Sequence, residues 1–173
     1  IIDARITWTI DPSGKIKADI HAEKDEEFPE LPRFGVRLFL DKTFAGVDYF
    51  GMGPQESYRD KHRGSSHGHY HGDVIGMHED YIRPQENGSH YDCDYVKLEQ
   101  KADNEQENDK TKVDKAENVV VKAGNAVVSC MGLAVASQNT FSFNVSPYTE
   151  EQLAAAGHNY ELTECGSTVL CID

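Results

Sequence analysis

The chain has 173 residues, 27% charged and 38% hydrophobic, with a formal net charge of -13. That length suits one domain with a real core. The acidic balance argues against a nucleic-acid partner, which needs a basic face, and disfavours an anionic membrane surface. No apolar run approaches the roughly 18 residues of a membrane span.

The chain opens Ile1-Ile2-Asp3, with neither an initiator Met nor a signal-peptide pattern, and so reads as a segment of something longer. Arg5 to Ile10 alternates in period two, Asp11-Pro12-Ser13-Gly14 is a turn, and Lys15 to His21 pairs back as a hairpin arm. Trp8, the one tryptophan, sits in this alternation and is expected in the core. Phe28-Pro29-Glu30-Leu31-Pro32 interrupts the ladder because proline donates no backbone hydrogen bond. Strands are predicted at Phe34–Leu40 and Val47–Phe50, with Gly51-Met52-Gly53-Pro54 as a bulge or tight turn after the second.

Residues 51–73, rich in Gly and His, read as a long excursion. Within it, His67, His69 and His71 would share one face of a strand and could ligate zinc. The spacing supplies no acidic or Cys ligand, so the expectation is a flexible loop of solvated rings and no metal. Ser89 to Leu98 returns to strand. Residues 100–118 are mostly charged, cannot bury much and read as a solvated insertion. Val119-Val120-Val121 and Ala126-Val127-Val128 flank Gly124-Asn125 as a further hairpin, and Thr140 to Ser146 is a strand. Thr149 and Gln152 form a capping box, Leu153 to Ala156 fills a helix and Gly157 is placed to end it. Ser167 to Asp173 is a last strand. The pattern predicts one all-β domain over residues 1–173, an antiparallel sandwich or barrel with one short helix.

Catalytic signatures are missing. Gly51-Met52-Gly53-Pro54 lacks the third glycine and following helix of a phosphate loop, and Glu56 and Asp60 would repel a phosphate. Adjacent acids such as Asp25-Glu26 and Glu150-Glu151 would point to opposite faces of a strand, whereas glycoside hydrolysis needs two carboxyls facing one bond. Cys93, Cys130, Cys165 and Cys171 lack CxxC spacing and read as buried or half-buried thiols of a reducing compartment; with two disulfides the pairing would stay open.

The stretch Tyr81-Ile82-Arg83-Pro84-Gln85-Glu86-Asn87-Gly88 carries dense turn chemistry. Pro84 pushes Arg83 toward extended geometry, and Asn87-Gly88 can enter the left-handed region cheaply. Gln85 and Glu86 are then expected to fasten the loop by satisfying its backbone amides. The competing assignment makes Arg83, Glu86 and Asn87 contacts to a bound sugar.

Four stretches together resemble one family. They are Leu31-Pro32-Arg33-Phe34-Gly35 into Val36-Arg37-Leu38, Gly51 to Tyr58, Tyr81 to Gly88, and Phe141 to Leu153. Their order and gaps are similar to the small-chain, C-terminal β-sandwich domain of the large multidomain β-galactosidases. One departure is Glu56-Ser57-Tyr58-Arg59-Asp60-Lys61, where the family has Glu-Asn-Tyr-Pro-Asp-Arg; Lys61 cannot reproduce a bidentate Arg. The resemblance implies a galactose-mutarotase-like supersandwich that packs on an upstream (β/α)8 barrel and helps close its galactoside site. It implies a cytoplasmic, magnesium-dependent parent that hydrolyses terminal β-galactosides such as lactose with retention. The catalytic glutamates and metal ligands would lie upstream, leaving no catalytic residue and no cofactor in this segment. The expected partner is the rest of the β-galactosidase chain or its large subunit. An independent carbohydrate-binding module and a mutarotase-like enzyme stand as alternatives; the first needs an exposed aromatic platform, the second a His and a Glu in one cleft.

Overall fold

The computed structural model describes residues 2–100, 126–129 and 132–173. The charged stretch expected at 100–118 and the strand expected at 119–121 lie outside them, apart from Gln100. Among the described residues the strands are β1 (Ile2–Ile10), β2 (Lys15–Lys24), β3 (Val36–Asp41), β4 (Phe44–Gly53), β5 (Ser66–Asp73), β6 (Ser89–Gln100), β7 (Ala126–Ser129), β8 (Gly132–Ser146) and β9 (Ser167–Ile172). One helix, α1 (Glu150–Ala155), and a 3-10 turn at Asn159–Glu161 precede β9.

Every strand pairing is antiparallel. Hydrogen bonds run β1-β2-β7-β8-β6-β4-β5, and the network forks at β8. The first part of β8 pairs with β7, its last part with β9, and β6 lies along its other edge. β3 then pairs with β9. Tyr49, Val96, Leu98, Phe143, Val145 and Leu170 are buried in one cluster, and Leu38 and Leu40 of the β3–β9 branch pack against it. One core filled from both branches is the packing of a sandwich, so the all-β expectation with one short helix holds.

Local chemistry explains the elements. Gly14 adopts φ 82° to close the β1–β2 turn, where its N–H donates to the Asp11 carbonyl at 3.0 Å. α1 starts at Thr149, whose hydroxyl accepts the Gln152 N–H at 3.2 Å while the Gln152 side chain accepts the Thr149 N–H at 2.9 Å. It buries Leu153. The helix ends differently from the expectation: Ala156 turns extended at ψ 135°, and the Gly157 N–H donates to the Glu161 carboxylate at 2.7 Å.

Three further expectations are corrected. Gly51-Met52-Gly53 is the end of strand β4, paired with β5 through Gly51↔Gly68 and Gly53↔Ser66, and not a turn. Glycine is required there by close approach, since a Cβ on Gly51 would fall 2.2 Å from Cys93 Sγ. Residues 66–73, expected in a flexible loop, form edge strand β5. Trp8, expected in the core, is 51% exposed. The register puts Ile6 opposite Ile20, Trp8 opposite Ala18 and Ile10 opposite Ile16, all on one face. Ile6, Ile10 and Ile20 are exposed with it. The alternation is real, but the described residues do not cover the face it creates.

Candidate functional site

The loop between β5 and β6 is held by a cluster of ionisable side chains. Pro54 follows β4 through a cis Gly53-Pro54 bond, and the chain then runs beside the start of β6. There the Ser57 N–H donates to the Ser89 carbonyl at 2.7 Å, and Ser57 Oγ accepts the Tyr91 N–H at 2.9 Å. That places Glu56 and Tyr58 under the 81–88 loop.

Glu86 lies half-buried, accepting from Arg33 Nη1 at 2.5 Å and from the Tyr58 hydroxyl at 3.2 Å. Arg33 Nε also donates to Asp173 at 2.5 Å, and its Nη2 reaches Asn144 Oδ1 at 3.5 Å. Burial pushes the Glu86 carboxyl above its ordinary range, against the pull of Arg33. Burial likewise raises the Tyr58 phenol, and Glu86 and Glu56 add to that. Arg33 loses solvation, but Asp173 and Glu86 more than offset the loss and hold its guanidinium charged.

The residue that satisfies the loop backbone is Glu56. One of its oxygens accepts the Gly88 N–H at 2.9 Å, and the other is bonded by Lys61 Nζ and the Tyr81 hydroxyl. Burial alone would raise this carboxyl; Lys61, Tyr81 and the Gly88 amide together take it below the ordinary value. Gly88 sits at φ 69° with Met77 carbonyl oxygen 2.3 Å from where a Cβ would be, so the left-handed expectation holds there.

Of the residues expected at a sugar site, Glu86 and Asn87 are in this cluster. Asn87 is buried and engaged at both ends: its Oδ1 accepts the Glu79 N–H and its Nδ2 donates to the Gln85 carbonyl, each at 2.9 Å. Arg83 is exposed and makes no hydrogen bond or ion pair among the described residues. The partners of Glu86 are side chains from distant segments, in place of the expected backbone amides. Arg33, Glu56, Tyr58 and Asp173 were not among the residues expected at the site, although Arg33, Glu56 and Tyr58 lie inside the motif stretches.

Beside the cluster, Glu56, Lys61, His62, Arg63, Glu79 and Tyr81 line an open depression of about 890 Å³. His62 and the carboxylates Glu56 and Glu79 border this depression, and a mutarotase-like site would need a His and a Glu converging in one cleft. His62 Nδ1, however, lies 2.9 Å from the Tyr58 carbonyl, and Glu56 is tied to Lys61, Tyr81 and Gly88. The Glu56 carboxylate is thus engaged on both oxygens. Elsewhere, His90 is buried between Tyr49 and Phe143, and loss of solvation lowers its pKa to about 4.

The sequence matches the family model described as beta galactosidase small chain over residues 1–173. It is 40% identical, over its whole length, to a beta-galactosidase of Actinobacillus pleuropneumoniae, of which it spans 14%. It is 31% identical over its whole length to one from Staphylococcus xylosus, spanning 15% of it. A Lactococcus lactis beta-galactosidase is 32% identical over 93% of the chain, which covers 13% of that protein. A family match that spans residues 1–173, beside relatives up to 40% identical over the whole chain, makes this chain a member of the β-galactosidase small-chain family.

Proposed function

We propose that this chain is a non-catalytic part of a β-galactosidase that packs on the rest of the enzyme through the apolar face of the β1–β2 hairpin and helps form the galactoside site. The observation that carries this reading is that face: Ile6, Trp8, Ile10 and Ile20 stand exposed together in a chain that spans 14% of a relative 40% identical to it. A contiguous apolar surface of this kind marks an interface. The remainder of such an enzyme would supply the catalytic glutamates and hydrolyse terminal β-D-galactose residues with retention. The carboxylates that converge here, Glu86 and Asp173, meet on Arg33 and hold the loop in shape. Arg83, with its exposed side chain, is the candidate to reach the sugar or an adjoining loop.

The parent's magnesium is assigned to residues outside this chain. The one grouping of potential ligands among the described residues, Asp48, His69 and His71, is nitrogen-rich and suits magnesium poorly. Free thiols at Cys93, Cys165 and Cys171 support the expected cytoplasmic setting. Among the described residues no helix is long and apolar enough to cross a membrane.

The exposure of Trp8 also favours a second reading, a carbohydrate-binding module stacking a sugar on the indole. Its neighbours argue for a protein partner instead: Ile6, Ala18, Ile10 and Ile20 offer no polar group to sort sugar hydroxyls.

The test is Trp8→Asp combined with Ile10→Asp in the full-length enzyme. Docking predicts at least a tenfold loss of kcat/KM and faster limited proteolysis between this domain and the rest. Wild-type activity and wild-type resistance would overturn the interface.

A further inference from the structure

The outer face of the β4–β5 pair gathers two imidazoles and a carboxylate. Asp48 lies opposite His71 in the register, and His69, two residues along β5, shares that face. Asp48 Oδ2 is 2.6 Å from His71 Nδ1 and 3.0 Å from His69 Nε2. The rings of His69 and His71 are 4.4 Å apart at 66°, so both nitrogens converge on the carboxylate without stacking. One donor atom from each of the three lies within 4.8 Å of the other two. Beside them, the Tyr95 ring on β6 lies 6.2 Å from the His69 ring. His67 is on the same face, but its Nε2 lies 3.0 Å from the Asp92 carbonyl, which leaves the other two as the paired donors.

We propose that Asp48, His69 and His71 form a binding site for a divalent late first-row transition metal of the zinc class. Two imidazole nitrogens and one carboxylate oxygen are a donor set that such ions take and that calcium and magnesium do not favour. Ligand bonds of about 2.0–2.2 Å in a tetrahedral arrangement place donors about 3.4 Å apart. The observed 2.6 and 3.0 Å spacings fall within an ångström of that. His69 and His71 side chains are 48% and 68% exposed, so small rotations open the site without disturbing the strands. The strands supply what a loop could not, because cross-strand register fixes Asp48 against both rings. Lys97, opposite Asp48 on the β6 side, is ion-paired with Glu99 at 2.5 Å, and the chain's net charge of -13 favours cations. Three protein ligands leave the ion at least one open position, facing solvent on an edge strand.

Equilibrium dialysis of the full-length protein against zinc, after stripping with chelator, tests this. The wild type is expected to bind one more zinc equivalent per protomer than His69→Ala/His71→Ala, with a dissociation constant in the micromolar range. Asp48→Asn is expected to weaken that equivalent at least tenfold. Cobalt loading should give the wild type a visible absorption band that the double variant lacks. Where the double variant melts early in chelator, His71→Ala alone, at the most exposed position, replaces it. Equal zinc stoichiometry in wild type and variants, or identical cobalt spectra, would overturn the site.

Discussion

β1 and β4 each carry an apolar residue at every second position of one face yet end in opposite surroundings. In β4, Val47, Tyr49, Gly51 and Gly53 are buried, packed against β6 and β5. In β1, the regular series Ile6, Trp8, Ile10 is exposed. Period-two patterning states which face of a strand needs cover. It does not state whether the cover comes from the same stretch of chain. β4 sits between two neighbours in the ladder, and its inner face meets Phe143 and Leu170 within one cluster. Among the described residues β1 is an edge strand joined only to β2, which touches the rest of the described sheet through Lys15 and Ile16 alone. A two-stranded hairpin is marginal by itself, and the apolar face of this one remains open for a partner.

The largest effect that would sharpen this contrast is in the packed region. Phe143 is fully buried, with its ring 5.2 Å from Tyr49 and 5.3 Å from His90. Phe143→Ala is expected to cost about 3–5 kcal/mol, transfer and cavity together, measured by denaturant unfolding. A loss below about 1 kcal/mol would mean that this core is not the stabilising centre.

His90 makes the same region sensitive to acid. Its folded pKa of about 4 lies below the ordinary 6.5, so the unfolded chain binds a proton that the fold refuses. Stability is therefore retained above pH 6.5 and lost as pH falls from there toward 4. The shift corresponds to about 3 kcal/mol. His90→Leu should remove that part of the slope, and an acid profile unchanged by the substitution would contradict the assignment. Glu56 acts in the same direction, since its lowered carboxyl contributes stability that is lost once it protonates; the difference between wild type and variant isolates His90.

The loop cluster comes next in size. Glu86→Ala removes an acceptor from Tyr58 and a counter-charge from Arg33, with an expected loss of about 1–3 kcal/mol. Arg83→Ala should leave stability unchanged, its side chain being exposed. If Glu86→Ala left the midpoint untouched while kcat/KM fell in the full-length enzyme, Glu86 would move from loop architecture to the sugar site.

Legibility followed sequence separation. Thr149 and Gln152 are three residues apart, and their capping box could be read directly. So could the β1–β2 hairpin, closed by the local turn at Asp11–Gly14. Glu56 and Gly88 are 32 residues apart, and their bond depends on how β4 and β6 are placed. Glu56 could have been found only as a member of a motif stretch, and its partner not at all. Asp48 was missed beside the histidines for the same reason, because its place opposite His71 is a matter of strand register. Gly51 and Gly53 were read as turn formers because glycine usually marks turns; here they make room for Cys93 and Tyr49.

The smallest expected effect discriminates best between the readings of the exposed face. Trp8→Ser in the 173-residue chain should change the unfolding midpoint by under about 1 kcal/mol, since only cross-strand contacts on an open face are lost. Trp8 is the one tryptophan in the chain, so its fluorescence reports this face alone. At 51% exposure it should be readily quenched by acrylamide in the separate chain. If the face docks against the rest of the enzyme, galactose or lactose will leave that quenching unchanged, because a hydrophobic patch flanked by isoleucines has no groups to bind hydroxyls. Adding the remaining polypeptide should protect the indole. The reverse pattern, saturable protection by sugar and none by protein, would convert the hairpin from an interface into a sugar platform. A large stability loss from Trp8→Ser would instead show that the indole is covered within the chain itself, and the contrast between β1 and β4 would collapse.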